Sequence, residues 1–108
     1  MLQLDIVKQH CRIELDFLED DQLISTYIGA AYQHVQQWTR RKLYSTPEDL
    51  EEAEDPDGLV LTDDVKAAML LYIGHLYENR EAVIVGSTPV KLPLAVDALL
   101  QPYRIYGL

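Results

Sequence analysis

Residues 62–82 read TDDVKAAMLLYIGHLYENREA and hold the longest uninterrupted helical pattern in the chain. Thr62 suits an N-cap, because its hydroxyl can accept a hydrogen bond from a free N–H of the first turn. Asp63 and Asp64 then set negative charge at the positive end of the helix dipole. Val65, Ala68, Met69, Tyr72 and Leu76 recur at helical spacing and share one face. Ala67, Leu70, Leu71, Ile73 and Tyr77 make much of the remaining circumference apolar. A helix apolar on most sides is buried on more than one of them. In so short a chain, one covering layer is expected from the same subunit and another from a neighbour. The apolar run 67–77 is shorter than the roughly 20 residues needed to cross a bilayer, and Gly74 and His75 interrupt it. No membrane association is expected.

Working outward, residues 3–11 read as a short helix with Leu4, Val7 and Cys11 inward and Asp5, Lys8 and Gln9 outward. Alone it is too short to be stable and must dock. An acidic connection, RIELDFLEDDQ at 12–22, can be pinned to the core by Leu15, Phe17 and Leu18. A second long helix is expected from Asp20 or Asp21 to Lys42, on the stripe Ile24, Tyr27 or Ile28, Ala31, Val35 and Trp38. Acidic residues open it, and Arg40, Arg41 and Lys42 close it, matching the dipole at both ends. Gly29, Ala30 and Ala31 form a small-residue patch where another helix could approach. Residues 45–58, STPEDLEEAEDPDG, read as an acidic loop, since half are carboxylates and two prolines and a glycine punctuate them.

Beyond the central helix the character changes. VIV at 83–85, the turn residues GSTP and then VKL suggest an extended or hairpin arm at 83–92. Pro93 can open a short helix, LPLAVDALLQ, with Leu94, Ala98 and Leu99 packing inward, and Pro102 stops it. Residues 102–108 are expected as an extended C-terminal arm. The fold class is therefore all-α: two long antiparallel helices, short N- and C-terminal helices, and a non-helical arm, in a single domain over 1–108.

Eighteen acidic against nine basic residues leave a net charge of −9. Tight gripping of nucleic acid needs clustered Lys and Arg, so it is not expected. Cys11 is the only cysteine and cannot close an internal disulfide. The first ten residues lack the basic and apolar regions of a signal peptide. Seven tyrosines against one Phe and one Trp favour a residue type common at protein interfaces.

No catalytic pattern is present. His10, His34 and His75 fall on three different predicted helices, with no spacing typical of zinc ligands. His10 and Cys11 are adjacent and point about 100° apart on a helix, which does not make a base and nucleophile. Phosphate-loop, dinucleotide and nucleophile-elbow motifs are missing. The reading is non-enzymatic, without cofactor or metal.

Two C-terminal segments are more specific. His75, Leu76, Tyr77, Glu78, Asn79, Arg80 and Glu81 form one. Leu92, Pro93, Val96, Leu99, Leu100, Pro102, Tyr103 and Arg104 form the other. In this order and spacing they resemble the head–tail connector (adaptor) proteins of tailed bacteriophages. The opening is similar too, with Arg12-Ile13, the acidic turn at Asp20 and Asp21, Ala30-Ala31 and Trp38. The resemblance implies a virion protein at the head–tail junction, assembled in the host cytoplasm. It implies a homo-oligomeric ring docked below the portal, with DNA passing through its channel and a head-completion or tail protein added next.

On that reading Met69, Tyr72, Ile73, Tyr77, Glu78 and Arg80 are candidates for the contact between subunits. Val83, Val85, Tyr103, Arg104 and Tyr106 are candidates for contact with the portal or a neighbouring ring. A different class of function fits the composition as well: a small acidic helical regulator that binds a basic protein.

Overall fold

The computed structural model describes residues 2–79 and 94–105. Among these, five α-helices and a two-stranded sheet follow in order: α1 Leu4–His10, α2 Asp21–Thr39, β1 Leu43–Tyr44, α3 Pro47–Ala53, β2 Leu59–Val60, α4 Asp63–Glu78 and α5 Leu94–Leu100. A 3-10 turn, Gln101–Tyr103, follows α5. The chain is mostly helical, as expected. The arm expected at 83–92 and the end of the helix beyond Asn79 lie outside the described residues.

Helix α4 is the centre of the packing. It touches α2 and α5 most extensively, and α1 as well. Val65, Ala68, Met69 and Ile73 are fully buried along one face. Leu70, Leu71, Tyr72, Leu76 and Tyr77 are half-buried and complete the contacts around the rod. The need for several covering layers was legible in the sequence, but the layers at α1, α2 and α5 come from the same subunit. No apolar side chain of α4 is left exposed. At its start, Thr62 does not cap the backbone. Its hydroxyl instead donates to the Asp64 carboxylate.

Helix α2 buries Ile24, Tyr27, Ile28, Ala31, Val35 and Thr39. It stops at Thr39 rather than Lys42, because Arg40 takes a left-handed conformation with φ 61°. The exit is held by side chains. The Gln36 carbonyl accepts from Leu43 N–H at 2.9 Å, and the Tyr32 hydroxyl donates to Leu43 O. Leu43 is buried there, worth about 1.5–3 kcal/mol. Gly29 faces open space rather than an approaching helix.

Residues 45–58 are not a plain loop. Thr46 caps α3 by accepting from Asp49 N–H at 3.1 Å, Pro47 occupies the first turn, and Glu48 and Asp49 suit the dipole there. Helix α3 buries none of its residues, so charge density did not prevent a helix whose carboxylates all reach water. It bridges β1 and β2, which pair in parallel with Leu43 opposite Leu59 and Tyr44 opposite Val60. Gly58 fits that bridge closely, since a Cβ there would lie 2.2 Å from Leu50 Cδ1 and 2.8 Å from Tyr44 Cε2.

Helix α5 packs Leu99 against the core as expected, but not Leu94 or Ala98. Val96 and Leu100 are buried, whereas Leu94 is 82 % exposed and Ala98 is exposed.

Candidate functional site: interface surfaces

The residues singled out for subunit contact separate once the chain is folded. Met69 and Ile73 have no exposure and belong to the core of the single subunit. They offer no surface to a neighbour, because α2 and α5 already cover them. Tyr72 is half-buried and stacks on His34, ring centroids 4.8 Å apart at 26°. Burial pushes its phenol upward in pKa. Tyr77 is half-buried and donates to Asp20 Oδ2 at 2.8 Å, tying α4 to the entry of α2. Glu78 is exposed at the end of α4. Arg80, Val83, Val85 and Tyr106 lie outside the described residues.

Tyr103 and Arg104 were expected to reach for a partner, but they fold back onto their own subunit. The Tyr103 hydroxyl donates to Asp64 Oδ2, its carbonyl accepts from Arg41 Nε at 2.5 Å, and Ile105 N–H donates to Thr39 O at 2.9 Å. The Arg104 guanidinium lies over the Trp38 ring, 4.6 Å from its centroid. Arg41 also donates to Asp57 O at 3.1 Å, joining this turn to the end of the acidic segment. Arg41 thus holds tertiary structure rather than closing a helix.

Between the end of α1 and α4 lies an open groove of about 510 Å³, lined by His10, Cys11, Arg12, Leu71, Gly74, His75, Tyr77 and Glu78. The fold brings two histidines of different helices to one place, but no group of three or more His, Cys, Asp or Glu among the described residues could hold a metal ion. Burial, and then the nearby Glu78 carboxylate, push the Cys11 thiol up in pKa, away from the thiolate a nucleophile needs.

Residues 1–104 match the family described as Phage gp6-like head-tail connector protein. The chain belongs to that family. No curated protein and no solved structure matches it. The match includes the two C-terminal segments that carried the resemblance, as far as Arg104. The family is structural, and its place is in the virion. No helix among the described residues is long and apolar enough to cross a membrane.

Three of the large apolar side chains exposed among the described residues are ones expected to pin their segment to the core. Leu15 is 50 %, Phe17 41 % and Leu18 67 % exposed, all in the connection between α1 and α2. The reason is Lys8. Expected on the outside of α1, it is 2 % exposed, and its ammonium donates to Leu15 O at 3.1 Å, to Phe17 O, and to Asp21 Oδ1 at 2.8 Å. The connection is anchored through its backbone carbonyls, so its apolar side chains are not needed as anchors. Phe17 lines a second, shallower groove of about 250 Å³ with Arg12, Ile13, Glu14 and Tyr77. Arg12 and Tyr77 line both grooves, which makes the surface continuous.

Proposed function

We propose that this connector is a non-enzymatic structural protein that closes into a homo-oligomeric ring at the head–tail junction. There it joins the portal-bearing capsid to the tail and extends the DNA channel. The observation that carries this reading is the family match over residues 1–104 of a 108-residue chain. Its partners are further copies of itself, the portal protein, and the head-completion or tail protein that follows. Assembly takes place in the host cytoplasm.

The physical chemistry supports each part of this. A net charge of −9 disfavours adhesion to DNA, which suits a channel that DNA must pass. A ring needs a heterologous contact between two different faces of each subunit. Tyr72, Tyr77 and Glu78 remain candidates for one such face, with Arg80 next to them in sequence. Val83, Val85 and Tyr106 remain candidates for contact with the portal or a neighbouring ring. Tyr103 and Arg104, half-buried on their own subunit, remain candidates for the same contact.

The test is the mass of the purified protein in solution and on DNA-filled heads that lack the connector, followed by imaging of the decorated heads. A closed ring at the portal vertex is expected. Heads that stay bare, with the protein monomeric at every concentration, would refute the reading.

A further inference from the structure

We propose that the connection between α1 and α2 is the docking surface for a different virion protein, one that presents apolar side chains among Lys or Arg residues. This rests on the connector reading and names a surface and a partner chemistry for it.

Leu15, Phe17 and Leu18 form the apolar part. They sit on a segment whose backbone is held from inside by the buried Lys8 ammonium, so the surface is preformed and little ordering is lost on binding. An isolated exposed leucine is ordinary, but three large apolar residues exposed within four positions of one another suit a recognition surface. Around them Glu14, Asp16 and Glu19 are exposed, and Arg12 is the single exposed cation of the connection. The shallow groove beside Phe17 is lined by two aromatic side chains, Phe17 and Tyr77, by Ile13, and by Glu14 and Arg12 at its charged edge. Ring faces and a carboxylate together suit a lysine or arginine side chain.

Charge decides against a second copy as the occupant. Among the described basic residues, Lys8 is buried in its own clamp, Arg41 donates to Tyr103 O and Asp57 O, and Arg104 lies over Trp38. Arg40 and Lys42 are exposed, but the strand after them contacts the acidic α3. A copy carrying −9 brings net like charge to this acidic surface. A partner with a basic rim does, and such a pair also gains in association rate.

The experiment uses the full chain and two variants at exposed positions, L15S/L18S and, as a control remote in sequence, L94S. Each is measured for thermal unfolding, self-assembly, docking to heads lacking the connector, and tail joining by the loaded heads, at low and high salt. L15S/L18S is expected to lose docking or tail joining by about tenfold or more, with unfolding and self-assembly unchanged. L94S should behave as wild type, and wild-type binding should weaken with salt. If L15S/L18S completes both steps as wild type does, or loses self-assembly instead, the proposal is overturned. If wild type itself fails to dock, the connector reading falls and takes the proposal with it.

Discussion

Lys8 Nζ lies 2.8 Å from Asp21 Oδ1 and ties α1 to the first residue of α2. Removing one partner of a buried ion pair costs about 3–5 kcal/mol, and Asp21, at 28 % exposure, places this pair at the lower end. Lys8→Met should therefore lower the unfolding free energy by about 3 kcal/mol in a denaturant titration. Asp21→Asn leaves Lys8 two carbonyl acceptors and should cost less.

Met69 and Ile73 have no exposure in the single subunit. Met69→Ala should cost about 2–5 kcal/mol of subunit stability through the cavity it leaves. The same variant should show unchanged self-association at temperatures where it stays folded. Sedimentation of folded protein separates this from an interface role.

The Tyr103–Asp64 bond makes stability depend on pH in both directions. The Thr62 hydroxyl, and then the Tyr103 hydroxyl, hold the Asp64 carboxyl below its ordinary pKa. A depressed carboxyl contributes stability above its unfolded pKa and loses that contribution as pH falls through the folded value. The Tyr103 phenol is raised, chiefly by its bond to Asp64, so its contribution is present below the unfolded pKa and lost as pH rises through the folded value. Tyr103→Phe should cost about 1 kcal/mol at neutral pH, since both groups are half-buried and still reached by water, and should flatten both limbs of the stability–pH curve.

Arg104 lies over Trp38, so the indole reports on the C-terminal turn. Arg104→Ala should shift Trp38 emission to longer wavelength and cost about 0.5–1 kcal/mol. Deleting residues 102–108 should give the same spectral shift with a larger loss of thermal stability, because the bonds to Asp64, Arg41 and Thr39 go as well.

Gly58 has no room for a side chain beside Leu50 and Tyr44. Gly58→Ala should cost about 1–3 kcal/mol, depending on how far the Leu50 side chain yields. Amide hydrogen exchange should speed up first in α3 and at the β1–β2 pairing.

Helical periodicity was enough to place α2 and α4 and to mark Ile24, Ala31, Val35, Val65, Ala68 and Met69 as inward, because burial of one face is written into local spacing. The C-terminal segments that pointed to the family were legible for the same reason, as residue types at fixed separations. The docking surface was not. ELDFLEDD at 14–21 has apolar residues without any period, and apolar character alone suggested an anchor.

What the sequence by itself determined is the helical class, the central rod and the family, all of which depend on residues near one another in the chain. Only the tertiary structure decided that Lys8 turns inward, that Leu15, Phe17 and Leu18 therefore stay outside, and that Tyr103 and Arg104 return to their own subunit. The physical reason is that a lysine buries its charge only where acceptors converge. The acceptors here lie 7, 9 and 13 residues away along the chain, and no local pattern brings them together.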